Sequence, residues 1–275
     1  MNIKKVLKPR KKYANKGTYK RVLLIGGSLS YVGSILLCAE GALRSGAGYV
    51  TLGVTKEIYP YVAGKKEEVT YQLIDDLDVL SIKDNYASIV FGNGINNDEK
   101  MQKILLDLLS LYEGRLVIDA TGLDALKTIG LDKLENSKAQ VILTPHMGEF
   151  KRLFDVEIEG KRAKDLVSDL NALASKYKIV IVLKDSQSCI SDGNKVYKVK
   201  SGNAGLAKAG SGDVLAGLIG GICAYSESSL FDIACAGHEI LSGASDLLAE
   251  KISLHSFIAS EVAKKIGIFL KEQGL

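Results

Sequence analysis

The chain has 275 residues, of which 47% are hydrophobic and 25% charged, so it can bury a large core and is not wholly disordered. Its net charge of +4 comes largely from a basic N-terminal segment, and no basic stripe interleaved with aromatic residues follows, so we expect no nucleic-acid partner. No run approaches the roughly 18 apolar residues of a membrane span and no secretory h-region opens the chain. We therefore expect a cytoplasmic protein without a membrane partner.

Short apolar runs alternate with amphipathic stretches along the chain, which is typical of parallel strands joined by helices. Mostly β-branched runs predict strands at Val22–Ile25, Tyr49–Leu52, Ser88–Phe91, Arg115–Ile118, Gln140–Leu143 and Ile179–Leu183. Apolar residues at helical spacing predict covering helices at Met101–Leu111, Ala163–Tyr177 and Ala259–Leu270. We expect an α/β fold with a central, mostly parallel sheet and helices on both faces, formed by one domain over residues 1–275 with a basic extension at 1–15.

The last third of the chain predicts a hairpin followed by helices. Asp192-Gly193-Asn194 marks a turn within Cys189–Lys200, which indicates a hairpin at one sheet edge. From Val214 onward the chain reads as helix, with Asp213 placed to open it. Glycines along this helix predict that another backbone or a ligand packs close: Gly217, Gly220 and Gly221. The cysteines occur singly without a C-x-x-C pair, so we expect buried free thiols and no protein-only metal site.

Two glycine turns follow predicted strands, where open α/β sheets bind ligands. Gly26-Gly27-Ser28, followed by Gly33-Ser34 at a helix start, leaves room for an anion against the backbone. Gly92-Asn93-Gly94 likewise permits positive φ and a close-lying ligand. Taken alone, either motif is equally explained by a plain tight turn.

Two polar segments follow later strands. In Thr144-Pro145-His146-Met147-Gly148-Glu149, we expect Thr144 to cap a helix with Pro145 in its first turn, so that His146 projects at the crevice and Glu149 shares its face. In Lys184-Asp185-Ser186-Gln187-Ser188, the lysine can meet a phosphate and the polar residues a purine or ribose. A cap without ligand and a solvated turn are the alternatives for these segments.

The strongest motif is the small-residue segment Gly202–Asp213, which ends Ala209-Gly210-Ser211-Gly212-Asp213. It leads straight into a helix, so successive backbone N–H groups and the positive end of the helix dipole converge on one spot suited to phosphate. It is neither a Walker loop nor a dinucleotide fingerprint. The dipole favours ionised Asp213 and makes it a weaker base, and we expect this carboxylate to accept a proton from a substrate hydroxyl.

Taken in order, these turns resemble the NAD(P)H-hydrate dehydratase branch of the ribokinase-like superfamily, from about Lys16-Gly17 to the C-terminus. The most specific elements are Thr144–Glu149 and Asn203–Asp213, with Gly41–Gly48 and Asp119-Ala120 in support. The resemblance implies a substrate pocket at Ser34, Gly94, His146 and Asp213, with Asp213 catalytic. It implies nucleotide contacts at Lys184, Asp185, Ser186, Gln187, Ser188, Gly210 and Gly212. Asp185 stands where the family usually has glycine, and we expect its side chain to point away from the phosphates.

The resemblance further implies the reaction. The family dehydrates the S epimer of hydrated NADH or NADPH (NADHX or NADPHX) at the expense of ADP or ATP with Mg²⁺, and ADP is our choice. It implies a homotetramer and a functional link to a separate epimerase. The rival is a thiazole- or pyrimidine-alcohol kinase of the same superfamily, disfavoured because those kinases resemble Thr-Pro-Asn rather than Thr144-Pro145-His146. A nucleotide-binding regulator is the third hypothesis, disfavoured by the intact Asp213.

Overall fold

The computed structural model describes residues 1–275 and is built around one nine-stranded sheet with the spatial order β3-β2-β1-β4-β5-β6-β7-β8-β9. The strands are β1 Arg21–Gly26, β2 Tyr49–Val54, β3 Val69–Leu73, β4 Ser88–Asn93, β5 Arg115–Ile118, β6 Gln140–Leu143, β7 Val180–Leu183, β8 Cys189–Ser191 and β9 Val196–Lys198. The strands β1 to β7 pair in parallel, and β8 and β9 add antiparallel. The predicted mostly parallel sheet and its edge hairpin are confirmed.

Helices cover both faces of this sheet. They are α1 Ile3–Val6, α2 Val32–Arg44, α3 Tyr59–Val62, α4 Val79–Ile82, α5 Glu99–Leu111, α6 Thr121–Ile129, α7 Asp132–Glu135, α8 Met147–Phe154, α9 Val167–Tyr177, α10 Ser211–Tyr225, α11 Leu230–Ala249 and α12 Ala259–Glu272. Strand residues alternate between two cores, so Leu24 packs with α2 and α10 to α12 while Leu23 packs with α4 to α9. No helix is both long and apolar enough to span a bilayer.

Four details differ from the sequence-based expectation. The strand β3, with the sequence Val-Thr-Tyr-Gln-Leu, was not predicted, and it is an edge strand in which only Val69 is buried. The expected helix Ala163–Tyr177 is divided into a 3-10 turn, Ala163–Asp165, and α9. Helix α10 begins at Ser211, two residues before Asp213. The expected extension 1–15 is partly folded into the core, since Ile3 and Val6 are buried.

Helices α2 and α10 pack so closely that their backbones touch. A Cβ atom added to Gly217 would lie 1.9 Å from the carbonyl oxygen of Cys38, and one added to Gly41 would lie 2.1 Å from that of Val214. The expectation that glycines in α10 admit another backbone is confirmed at Gly217. Because α2 follows β1, its N-terminus lies at the carboxyl edge of the sheet, and the N-terminus of α10 reaches the same edge.

Candidate active site

The site lies where the strand order reverses. Strand β1 has β2 on one side and β4 on the other, so the chain leaves the centre of the sheet in opposite directions and opens a crevice at the carboxyl ends. Polar residues follow several of these ends: Asn93 on β4, Asp119 after β5, Thr144 after β6 and Lys184 after β7. The N-terminus of α10 brings Asp213 to the same edge.

Asp213 is held by Asn93. The side-chain amide of Asn93 donates to Oδ1 of Asp213 at 2.8 Å and to Oδ2 of Asp119 at 2.9 Å. Burial raises the pKa of Asp213 to about 6, with Asp119 adding to the effect, although the bonds from Asn93 and Ser34 and the charge of Lys184 oppose it. The expectation that the helix dipole makes Asp213 a weaker base is therefore wrong, because loss of hydration outweighs the dipole. This carboxylate suits proton transfer near neutral pH.

Asp119 anchors the floor of the site. It is 1% exposed, and its Oδ1 accepts from the ammonium of Lys184 at 2.7 Å and from the hydroxyl of Thr144 at 2.7 Å. Burial alone would lower the pKa of Lys184, but the carboxylates of Asp119 and Glu149 outweigh it and hold that pKa above its usual value. The ammonium is therefore charged. We call Asn93, Asp119, Thr144, Lys184 and Asp213 the buried polar cluster.

The start of α10 is an open anion site above this cluster. Gly210 precedes the helix with φ +94°, and no side chain caps it. The amides of Gly212 and Asp213 donate to no acceptor in the chain. A Cβ atom added to Gly212 would lie 3.2 Å from Nζ of Lys184. Free amides, a helix dipole and an ammonium thus converge on one place suited to phosphate.

The nucleotide turn, Asp185–Ser188, is self-contained at the surface. The hydroxyl of Ser188 donates to the carbonyl of Asp185 at 2.9 Å and accepts from the backbone amide of Asp185 at 3.1 Å. The Asp185 carboxylate turns to Arg162, whose Nε donates to it at 2.9 Å, while Ser186 contacts the same guanidinium. Ser186 and Gln187 are exposed. Of the implied nucleotide residues after β7, only Lys184 points into the buried polar cluster.

His146 caps helix α8. Its Nδ1 accepts from the amides of Gly148 at 3.0 Å and Glu149 at 3.2 Å, and its own amide donates to Oε2 of Glu149 at 2.7 Å. Burial, then the charges of Lys184 and Arg152, lower the pKa of His146. Because Nδ1 accepts, the neutral ring carries its proton on Nε2, and its side chain remains 54% exposed at the crevice.

The expected cap at Thr144 is therefore wrong. Helix α8 begins at Met147, after both Thr144 and Pro145. The hydroxyl of Thr144 is used by Asp119, and the carbonyl of Pro145 accepts from the amide of Lys184 at 2.8 Å. These two residues thus extend the strand pairing between β6 and β7 instead of starting the helix.

Ser34 and Gly94 lie against each other. A Cβ atom added to Gly94 would stand 2.9 Å from Cβ of Ser34, and Gly94 has φ +75°, so only glycine suits this position. Ser34 in turn interacts with the carboxylate of Asp213. The two glycine turns that the sequence left open thus meet beside Asp213, and His146 lies at the same edge, next to Lys184 in a bridge between the chains following β6 and β7.

Sequence reasoning missed three members of the site. Asn93 was seen only as part of a turn, Asp119 only as part of a family pattern, and Arg162 not at all. The signal for the first two was a polar residue at the carboxyl end of a buried strand. A further trace is local strain, since Ala120, next to Asp119, has φ +50°, which is uncommon outside glycine.

The protein offers no group of three or more His, Cys, Asp or Glu side chains that could hold a metal alone. Asp119 and Glu149 instead flank Lys184, at 2.7 Å and 3.9 Å from its Nζ. Mg²⁺ at nucleotide sites is usually bound by one or two carboxylates together with phosphates and water. The residues present therefore fit a magnesium ion that arrives with the nucleotide.

Residues 22–267 match the carbohydrate-kinase-like family described as NAD(P)H-hydrate dehydratase. A bifunctional NAD(P)H-hydrate repair enzyme Nnr of Thermofilum pendens is 34% identical over 226 residues, covering 78% of this chain and 43% of that enzyme. The ADP-dependent (S)-NAD(P)H-hydrate dehydratase of Neisseria meningitidis is 30% identical over 264 residues, covering 94% of this chain and 87% of that enzyme.

Solved structures of similar proteins share the fold of this chain. The ADP/ATP-dependent NAD(P)H-hydrate dehydratase of Bacillus subtilis, co-crystallized with ATP and Mg²⁺, superposes with a TM-score of 0.80 at 28% identity, covering 96% of this chain and 94% of that one. This chain spans about half the length of the bifunctional relatives, 43% in the Thermofilum enzyme, but 87% of the Neisseria enzyme and 94% of the Bacillus chain. With its residues 22–267 matched by the family model, the chain belongs to the NAD(P)H-hydrate dehydratase family.

Proposed function

We propose that this chain dehydrates the S epimer of NADHX or NADPHX, using ADP or ATP as phosphoryl donor, and so restores NADH or NADPH. The observation that carries the proposal is the position of Asp213. A carboxylate with a pKa of about 6 stands beside the open amides of the α10 N-terminus and accepts a hydrogen bond from Asn93 at 2.8 Å. That arrangement is what we expect of a proton acceptor that serves both a phosphate site and a substrate pocket. The matched family and the named activity of its relatives support this assignment.

In the first step, Asp213 accepts the proton of the ring hydroxyl while that oxygen attacks the terminal phosphoryl group. A carbon–O–phosphorus linkage forms, the phosphoanhydride bond breaks, and AMP leaves when ADP is the donor. The chain's part is positioning and charge stabilisation. The amides of Gly212 and Asp213 and the ammonium of Lys184 face the negative charge, and Mg²⁺, when bound with the nucleotide near Asp119 and Glu149, supplies further charge neutralisation.

In the second step, the lone pair of the ring nitrogen expels phosphate from the neighbouring carbon. Loss of a proton from the next carbon then restores the dihydropyridine ring. No electrons are gained or lost overall, so the products are NADH, phosphate and AMP from NADHX and ADP. The residues implied for the substrate are Ser34, Gly94, His146 and Asp213, and those implied for the nucleotide are Lys184 to Ser188, Gly210 and Gly212.

The test is to incubate the purified chain with NADHX, Mg²⁺ and either ADP or ATP and to follow NADH at its absorbance maximum. We expect NADH only with nucleotide, one phosphate per NADH, and faster turnover with ADP. Recovery without nucleotide would refute the proposal. Phosphorylation of a thiazole or pyrimidine alcohol, measured in parallel, would instead support the kinase rival.

Three further assignments are proposed with this function. They are a homotetramer, a cytoplasmic location and a functional link to an epimerase that supplies the S epimer. Light scattering of the purified chain tests the first. Adding a purified epimerase to a racemic hydrate tests the third, since conversion should then rise from half of the hydrate to all of it.

A further inference from the structure

A surface cleft of about 750 Å³ lies next to the substrate side of the site. It lies between helices α6 and α8 and the loop after β4, and we call it the α6–α8 cleft. The loop starts at Gly94 and helix α8 is capped by His146, so two of the residues implied for the substrate begin the walls of this cleft. Ligand pockets usually measure about 300 to 1,000 Å³, so the cleft has room for a group of the size of a nucleotide.

Arg152 lines the cleft and also lies close to His146. A Cβ atom added to Gly148 would lie 3.0 Å from Cε1 of His146 and 3.8 Å from Nη1 of Arg152, so the guanidinium is beside the imidazole ring. The side chain of Arg152 is 53% exposed, and its Nε and Nη2 approach one oxygen of Asp124 at 3.4 and 3.3 Å. Charge-assisted hydrogen bonds usually measure about 2.7 to 2.9 Å. Because this surface pair is loose, Arg152 can exchange its carboxylate partner for a phosphate at little cost.

The wall of the cleft suits a polar ligand. Val156 is its one apolar lining residue, and the side-chain amide of Asn97 donates to the hydroxyl of Thr128 at 3.1 Å. The cations and the carboxylates of the wall are equal in number, so net charge does not select an anion. Position does select a cation, because Arg152 lies beside His146. We therefore expect a phosphate contact at this end of the cleft and neutral polar groups, such as ribose and adenine, in the rest of it.

The cleft and the phosphate site lie on opposite faces of the sheet. Helices α6 and α8 pack on one face through residues such as Leu126 and Phe150, whereas α10 packs on the other through Val214 and Leu218. The amides that suit the nucleotide phosphates belong to α10. In phosphoryl transfer the attacking and leaving oxygens are roughly in line, so the acceptor approaches from the side opposite the departing nucleotide. The bulk of the acceptor is therefore expected on the side of α6 and α8.

We propose that the α6–α8 cleft binds the pyrophosphate and adenosine of the hydrated dinucleotide, with Arg152 as the phosphate partner. This inference rests on the proposed function. When the ring hydroxyl faces Asp213, the rest of the molecule has to leave the crevice, and the cleft opens past Gly94 and His146. In this arrangement Arg152 is a specificity-determining residue, because it favours the dinucleotide over the same ring and ribose without phosphates.

The test compares NADHX with the hydrate of reduced nicotinamide riboside, which has the same ring and ribose but no phosphate or adenosine. For Arg152→Ala we expect the KM for NADHX and the Kd for NADH to rise about tenfold, the size of a hydrogen bond to a charged group. The KM for ADP and the KM for the riboside hydrate should not change. Arg152→Lys should recover part of the loss, because it keeps the charge. Arg21→Ala should match the wild type and is the control, since Arg21 is an exposed arginine that begins β1 at the opposite end of the sheet.

Each outcome of this comparison decides between the alternatives. An unchanged KM for NADHX and an unchanged Kd for NADH in folded Arg152→Ala would overturn the inference while leaving the proposed function intact. An equal rise in KM for NADHX and for the riboside hydrate would also overturn it, because Arg152 would then act on the ring through His146. Absence of NADHX turnover in the wild type would instead contradict the proposed function. Titration of the wild type and of Arg152→Ala with NADH and with reduced nicotinamide riboside would still test the cleft.

Discussion

The buried polar cluster and the nucleotide turn are adjacent, but they are built in opposite ways. In the cluster, Asn93, Asp119 and Lys184 satisfy one another below the surface, so its geometry is set before any ligand arrives. In the nucleotide turn, Ser188 bonds within the turn and Asp185 bonds to Arg162 at the surface. The difference indicates that the geometry around Asp213 is fixed by the core, whereas the nucleotide contacts that we propose involve backbone groups and exposed side chains.

The largest expected effect follows from removing the base. In Asp213→Asn, the amide keeps the size of the side chain but cannot accept the proton, so kcat should fall by about 10² to 10⁴, the usual contribution of a general base. ADP should still bind, because the amides of the α10 N-terminus remain. Single-turnover NADH formation and calorimetric ADP titration measure the two effects. Asp232→Asn, in the first turn of α11, is the control, and unchanged turnover in Asp213→Asn would contradict the assigned role.

Next is the ion pair beneath the site. Lys184→Met leaves Asp119 buried without its cation, and breaking such a pair typically costs about 3 to 5 kcal/mol of unfolding free energy. Urea unfolding measures this loss. Adding Asp119→Asn should recover part of it, since the uncompensated charge is removed. Lys127→Met removes an exposed pair with Asp155 and should change stability by no more than about 1 kcal/mol. Equal losses in both single variants would contradict a special role for the cluster.

The raised pKa of Asp213 also predicts the pH profile. The rate should fall about tenfold per pH unit below about 6, as the carboxylate becomes protonated. The free energy of unfolding should instead decrease as the pH rises. The folded pKa lies above the unfolded value of 3.8, so the fold binds this proton more tightly and loses stability as the pH rises from about 4 to 6. The stability of Asp213→Asn, measured by urea unfolding at several pH values, should not show this decline between about pH 4 and 6. If the stability of the wild type and of the variant changed with pH in the same way, the prediction would be contradicted.

A smaller effect is expected in the nucleotide turn. Arg162→Ala frees the Asp185 carboxylate from its partner and lets its charge approach the phosphates, so the KM for ADP should rise about three- to tenfold with kcat nearly unchanged. Steady-state kinetics at varied ADP measures this split. Lys151→Ala removes a comparable surface cation, paired with Glu157, and is the control. If kcat fell while the KM for ADP stayed the same, the prediction would be wrong, and the turn would instead affect the position of the reacting groups.

The smallest expected effect separates the two roles of His146. His146→Ala removes the cap of α8 and should cost about 1 kcal/mol of stability, whereas His146→Asn keeps a capping oxygen and should restore most of it. If the ring also contacts substrate, both variants should raise the KM for NADHX equally. Thermal unfolding and substrate kinetics distinguish these roles, and full activity in the asparagine variant would restrict His146 to capping.

The outline of the fold was predictable because buried parallel strands consist of short, mostly β-branched runs that stand out in the sequence. All six predicted strands are present. The edge strand β3 was not predicted, since it is only five residues long, alternates apolar and polar residues and buries only Val69, whereas the predicted strands were mostly continuous apolar runs. At the site, the phosphate turn could be predicted because its small residues and glycines lie close together in one short segment of sequence. Asn93 and Asp119 form one cluster only through the sheet, and the 2.9 Å contact between them spans 26 residues of chain. The pKa of Asp213 depends on burial, which no local pattern records.

The backbone contact between α2 and α10 makes those two helices a single mechanical unit. Ser34 lies in the first turn of one of them and Asp213 in the first turn of the other, so the helix packing fixes the distance between these two residues. A methyl group at position 217 would act as a wedge, because it has no space beside the Cys38 carbonyl. Gly217, one helical turn from Asp213, thus helps to set the width of the crevice. Ligands would then enter past the loops on either side of the two helices.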